Sequence, residues 1–307
     1  MAGVDCRAQT ELWYIGTTAE SGGTGWMYPH LLLRRGHSMA ATYLFIDGAY
    51  LRARLKHISK QYQIDLGPLD FDYTLFASRI AQKAFYYDCL PAKGGPKENG
   101  ADYDRRAEPQ RRLFKAIKSL PGYHVVLGEA IRSGGGIVQK GVDIRIAVEM
   151  LTHAFRGVID RVVLFAGDRD FEPLVSALVQ QGVYVTIAYH PLSVAEELLD
   201  AADERAEYDT ARLWDLAMPQ FKRRYPAPGV GDRDDRPLSN PNAPLIRTGM
   251  FGTQEASLYR DDNLFRCYLS YLDPYANKRY QYFWHPDEAV IMKLLAEKNI
   301  EIDWTAA

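Results

Sequence analysis

The chain has 307 residues, of which 47% are hydrophobic and 25% charged, with a formal net charge of −2. That composition can bury a core and excludes wholesale disorder, while the near-neutral balance excludes a globally basic nucleic-acid coat but leaves room for a local basic groove. Cys6, Cys89 and Cys267 are too few and too scattered for a disulfide framework or a zinc cluster, and they fit a reducing, cytoplasmic setting.

Residues 1–38 lack a basic start followed by an apolar stretch, and Leu31-Leu32-Leu33 is too short for a signal core. They are expected to be a disordered extension or an over-long start, without chemistry. No apolar run approaches the ~18 residues of a membrane-spanning helix, so no membrane association is expected.

From residue 42 the pattern alternates between β and α signals. Tyr43-Leu44-Phe45-Ile46 is a short continuous apolar run, as in a strand buried on both faces, and Asp47-Gly48 ends it. Helical composition follows over 49–58 and 69–81, then a strand over 83–87. Gly94, Gly95, Pro96 and Gly100 predict a loop over 91–103. Leu113, Phe114 and Ile117 set a helix over 108–120, which Pro121-Gly122 stops before the strand 124–127. A glycine loop at 133–136 leads to a helix over 142–155, then the buried strand 162–165. A helix over 171–181, the strand 183–187 and a helix reaching Leu199, capped by Ser193 with Glu196 as its box partner, complete the alternation. Such alternation argues for a mainly parallel sheet covered by helices on both faces.

Composition shifts again near residue 218. Pro219, Pro226, Pro228, Pro237, Pro241 and Pro244 make 219–247 read as a Pro-rich linker. Residues 257–307 are expected to be a small C-terminal module, rich in aromatic side chains and ending in a helix over 287–298. A segment of that size is marginal alone, so it is expected to dock on the main domain, on a second copy in a homo-oligomer, or on a protein partner.

Three aspartates fall where an open parallel sheet gathers function, at or just after strand ends: Asp47, Asp168 and Asp170. Asp143 opens the helix after the glycine loop. Each has an ordinary explanation alone, as a turn residue or helix cap. Together they are costly: two carboxylates about 4 Å apart repel by roughly 1 kcal/mol in water and about 4 kcal/mol at an effective dielectric of 20. A cation would relieve that repulsion, and hard oxygen donors without histidine or cysteine favour Mg²⁺ or Mn²⁺.

Phe45-Ile46-Asp47-Gly48-Ala49-Tyr50, Gln139-Lys140-Gly141-Val142-Asp143 and Ala166-Gly167-Asp168-Arg169-Asp170-Phe171-Glu172-Pro173-Leu174 resemble, in order and spacing, the NYN domain, a PIN-like family of metal-dependent ribonucleases. The resemblance covers 42–216. It implies a Rossmann-like three-layer α/β/α sandwich with Asp47, Asp143, Asp168 and Asp170 as the catalytic acids, binding Mg²⁺ or Mn²⁺. Many members carry asparagine where Tyr50 stands; tyrosine there could stack on a base or simply pack. With Tyr50, the residues Lys140, Gly167 and Arg169 complete the expected substrate contacts.

Arg105, Arg106, Arg111, Arg112, Lys115 and Lys118 offer a basic footprint for RNA, as do Lys222, Arg223 and Arg224. The expectation is thus a cytoplasmic, metal-dependent ribonuclease, endonucleolytic in mode. Two rivals stand beside it: a catalytically weak RNA- or protein-binding module on the same fold, and a phosphohydrolase of the haloacid-dehalogenase type. The latter needs a second aspartate two positions after the first, where this chain has Ala49.

Overall fold

The computed structural model describes residues 41–94, 98–133, 136–233 and 242–306, and the expected extension at 1–38 lies outside them. The described part of the chain belongs to one compact unit, Met39–Ala307.

In chain order the first elements are β1 (Ala41–Asp47), α1 (Gly48–Tyr62), α2 (Tyr73–Ser78), β2 (Lys83–Cys89), α3 (Gly100–Lys118), β3 (Tyr123–Ser133), β4 (Gly136–Lys140) and α4 (Val142–Phe155). Then come β5 (Ile159–Phe165), α5 (Glu172–Gln180), β6 (Tyr184–Tyr189), α6 (Glu196–Asp200), β7 (Glu204–Glu207) and α7 (Thr210–Asp215). They form one sheet in the order β4-β3-β2-β1-β5-β6-β7. Every pairing is parallel except that of β3 with β4.

Alternation along the strands splits the core into two layers. Leu44 and Ile46 of β1 face Leu51, Leu55 and Ile58 of α1, Leu113 and Ile117 of α3, and Trp214 of α7. Phe45 points to the opposite layer, with Val142, Ile146 and Met150 of α4, Val175 and Leu178 of α5, and Leu198 of α6. A strand buried on both faces must be apolar at consecutive positions, as this one is. The result is a three-layer α/β/α sandwich, as expected.

The connection between β3 and α4 departs from expectation. Strand β3 runs on past its last partner on β2, Gly128 against Cys89, and β4 pairs back on it, with Glu129 opposite Lys140 and Ser133 opposite Gly136, while 134–135 of the expected glycine loop lie outside the described residues. This two-stranded arm delivers the chain to Asp143. Helix α3 starts at Gly100, inside the expected loop, because the Asn99 side chain accepts the Asp102 N–H at 2.9 Å and caps it.

The remaining elements are α8 (Pro219–Arg224), β8 (Gly229–Arg233), β9 (Leu245–Phe251), β10 (Gln254–Asp261), β11 (Leu264–Leu272), β12 (Lys278–His285), α9 (Glu288–Glu297) and β13 (Asp303–Ala306). Helix α8 and strand β8 lie within the expected linker, while 234–241 lies outside the described residues. A second sheet, ordered β13-β9-β10-β11-β12-β8, is antiparallel throughout. Strand β8 can join it because its glycines leave room for aromatic rings. A Cβ on Gly229 would lie 1.9 Å from the Trp284 ring, and one on Gly231 would lie 2.6 Å from the Tyr282 ring. Leu258, Cys267, Leu269 and Phe283 pack beneath α9 with Ile291 and Leu294. Helix α9 meets the main sandwich through Lys293, whose ammonium donates to the Gln61 carbonyl at 2.8 Å, and through Lys298, 2.6 Å from Asp209. Among the described residues no helix is long and apolar enough to cross a membrane.

Candidate functional site

The chain leaves β1 to build β2 and β3 on one side and later crosses back to place β5 on the other. The carboxyl ends of β1 and β5 therefore flank the point where strand order reverses, the usual ligand crevice of an open parallel sheet. Asp47 is the last residue of β1, and Gly167-Asp168 follows β5 on the neighbouring strand.

Asp47 also caps α1. Its Oδ1 accepts the N–H groups of Ala49 at 2.9 Å and Tyr50 at 3.1 Å. Burial pushes its carboxyl up to about 6, with the Tyr50 N–H opposing and the charges of Asp143 and Asp88 adding to the rise. Asp143 sits exposed in the first turn of α4, and its carboxyl is raised by burial first and then by Asp168 and Asp170. Asp168 is exposed and accepts the Asp170 N–H at 3.0 Å, which caps the short 3-10 turn Arg169–Phe171. The four acids thus form an electrostatic chain: Asp143 is felt by Asp47 and itself feels Asp168 and Asp170.

A fifth acid separates itself from this chain. Asp88, the penultimate residue of β2, is fully buried, and Arg52 of α1 holds it with Nε at 2.8 Å and Nη2 at 2.7 Å. The Tyr86 hydroxyl donates to it at 3.2 Å and the Cys89 N–H at 2.8 Å. Neither Asp88 nor Arg52 stands out in the sequence; the available signal was an arginine next to Leu51 in a helix whose Leu51, Leu55 and Ile58 face the core. Among the described residues no cationic side chain pairs with Asp47, Asp143, Asp168 or Asp170.

The expected substrate contacts sort differently. The Tyr50 hydroxyl donates to the Ser193 carbonyl at 2.7 Å and accepts the His190 N–H at 2.9 Å, and its ring packs edge-on against Phe165 at 5.3 Å. That packing leaves it tied into the protein rather than presented for stacking on a base. Gly167 is a close-approach position: a Cβ there would fall 2.2 Å from the Ser193 carbonyl oxygen and 2.6 Å from the Tyr50 ring. Ser193 accordingly does not cap α6, whose N-cap residue is Ala195 with no side-chain bond. Arg169 stands at the rim, 71% exposed and 3.3 Å from Glu197. Lys140 ends β4 three residues before Asp143, and its side chain lies outside the described residues.

The basic footprint on α3 is largely neutralised. Arg105 pairs with Asp102, Arg106 with Glu98, Arg111 with Asp104 and Arg112 with Glu108, at 3.6, 2.8, 2.8 and 2.9 Å. Lys222 of α8 is likewise 3.0 Å from Asp215.

No group of three or more His, Cys, Asp or Glu side chains among the described residues stands close enough to hold a metal ion alone. A closed zinc-type cage is therefore a poor fit. Mg²⁺ makes a different demand, since it keeps several waters and takes only one or two carboxylates plus substrate phosphate oxygens. Asp47 and Asp143, whose carboxyl groups are raised by burial and then by neighbouring acids, suit that chemistry.

The family model of the NYN domain matches residues 41–209. Among solved structures, the chain is similar to a protein of unknown function from Vibrio parahaemolyticus RIMD 2210633, with 22% identity, 57% of this chain and 97% of that chain covered, and a TM-score of 0.41. No curated protein matches.

Proposed function

The chain belongs to the NYN domain family, a nuclease-like family, and we propose that it is a Mg²⁺- or Mn²⁺-dependent ribonuclease that cuts RNA endonucleolytically. One observation carries this reading. Of the five acids at the carboxyl edge around β1, Asp88 is neutralised by Arg52, while Asp47, Asp143, Asp168 and Asp170 have no cationic partner among the described residues. Capping accounts for Asp47 and Asp168 singly, but four acids without a cationic partner on one sheet edge suit a divalent cation with a phosphodiester.

When bound, the cation supplies Lewis acidity toward the scissile phosphate and lowers the pKa of a water. The residues supply the rest. Asp47 is oriented by two helix N–H groups, so its carboxylate is preset to hold the ion directly, with the neighbouring acids Asp143 and Asp168 reaching it through the waters that Mg²⁺ keeps. Asp170, one residue pair further along the same turn, is available to take a proton from the attacking water. Arg169, exposed at the rim, brings positive charge to the RNA backbone, and Lys140, three residues before Asp143 in the chain, is the second candidate for that role. Free, buried Cys89 and Cys267 support a reducing, cytoplasmic setting.

The test is cleavage of end-labelled RNA with Mn²⁺, wild type beside Asp168→Asn. The expected result is fragments from the wild type that vanish with chelator and fall by at least about a hundredfold in the variant. Equal cleavage by both proteins contradicts the assignment.

A further inference from the structure

Tyr50 stands at the position where many members of the family have asparagine, and its contacts are more than packing. The hydroxyl accepts the His190 N–H at 2.9 Å and donates to the Ser193 carbonyl at 2.7 Å, so it clasps both ends of the turn that follows β6. The Ala195 N–H donates to the Gly167 carbonyl at 3.0 Å, which closes the same turn onto the residue before Asp168. At its other end Tyr50 gives its backbone N–H to Asp47 at 3.1 Å. One residue therefore touches the first acid, the glycine preceding the third acid, and the turn beyond them. Asparagine is too short to reach either His190 or Ser193 from this place in α1, and only a glycine at 167 admits the arrangement.

The clasped turn lies at the carboxyl edge of the sheet, one strand beyond Asp168, and Leu192 at its crest is 49% exposed. No acid of the cluster belongs to it, so its contribution is to shape and not to chemistry.

We infer that Tyr50 is a positioning residue: its hydroxyl fixes the His190–Ala195 turn as the wall of the crevice beside Asp168, and this wall sets how tightly an RNA strand seats against the acids. The inference rests on the ribonuclease reading for its substrate but not for its geometry.

Tyr50→Phe keeps the ring and removes both hydroxyl bonds, so the fold survives and two readouts remain. Amide hydrogen exchange at 190 and 192–195 is expected to accelerate by at least about tenfold in the variant, with the rest of the sheet unchanged. With RNA and Mn²⁺, KM is expected to rise about fivefold while kcat stays within about twofold, a split that a mere loss of folded protein would not give. Unchanged exchange in the turn overturns the clasp. Faster exchange with unaltered KM, or with a fall confined to kcat, overturns its role toward RNA. A wild-type protein that cuts no RNA removes the ribonuclease reading, and the exchange measurement still decides the clasp.

Discussion

Arg52 holds the buried carboxylate of Asp88 through two parallel hydrogen bonds, at 2.8 and 2.7 Å, directly behind the unpaired acids of the candidate site. Asp88 is fully buried, whereas the Arg52 side chain retains 28% exposure. The pair takes one negative charge out of the crevice and anchors α1 to the end of β2.

Removing one partner of such a pair leaves the other charge buried and alone. Arg52→Met is expected to destabilise the protein by about 3 kcal/mol, and Arg52→Met with Asp88→Leu to recover most of that loss. Urea unfolding of the wild type, the single and the double variant measures both. A double variant no more stable than the single one would show that Arg52 acts through packing and not through Asp88.

The raised carboxyl of Asp47 links stability to pH. Its native value of about 6 lies above the ordinary 3.8, so the folded state binds the proton more tightly than the unfolded chain does. Stability from this group is therefore complete below about pH 4 and is lost as pH climbs through about 6. Asp47→Asn keeps the helix cap and removes the cost of the buried charge. In chelator at pH 7.5 the variant is expected to exceed the wild type by about 1–2 kcal/mol, and the difference should close toward pH 4. Adding Mg²⁺ is expected to stabilise the wild type and leave the variant unmoved. Unfolding midpoints at the two pH values, with and without the ion, decide the matter.

The second sheet offers a test of its own. Gly229→Ala must push the Trp284 ring aside, since the new Cβ would lie 1.9 Å from it. A cost of about 1–3 kcal/mol is expected, with altered near-ultraviolet dichroism from the displaced indole. Gly252→Ala is the contrast. It has open space around it but a φ of +57°, so its cost should come from the backbone alone and leave the indole signal intact.

These contrasts also explain what the sequence made legible. Strands buried on both faces announce themselves as apolar runs, so 43–46 and 162–165 fall inside the observed Ala41–Asp47 and Ile159–Phe165. The acids at their ends could be read because strand ends in a parallel sheet share an edge. The arm of β3 and β4 escaped notice because Ser133-Gly134-Gly135-Gly136 reads as a loop, and only the backbone pairing of the flanking residues reveals the two strands. In β11 and β12 the alternation is masked, since Tyr268 and Tyr282 occupy one face and Cys267, Leu269 and Phe283 the other, all of them bulky or apolar. Strand β8 is unreadable for a different reason: its glycines exist to admit rings from β12, a requirement that only the tertiary pairing reveals. The neutralised arginines of α3 teach the same lesson in electrostatics. A count of charges along the chain shows six cations against three acids over 101–118, but each of four arginines has a carboxylate within reach, one of them, Glu98, from outside that stretch.

The proposed ribonuclease uses Asp47, Asp143, Asp168 and Asp170 together with a divalent cation to cut RNA internally. A circular RNA has no ends, so only an endonuclease can open it. Incubating it with Mn²⁺ and the wild type, Asp143→Asn or Asp168→Asn, and separating circle from linear product, measures that activity directly. Linear product is expected from the wild type alone, abolished by chelator. An intact circle with the wild type, or equal linearisation by the variants, would contradict it.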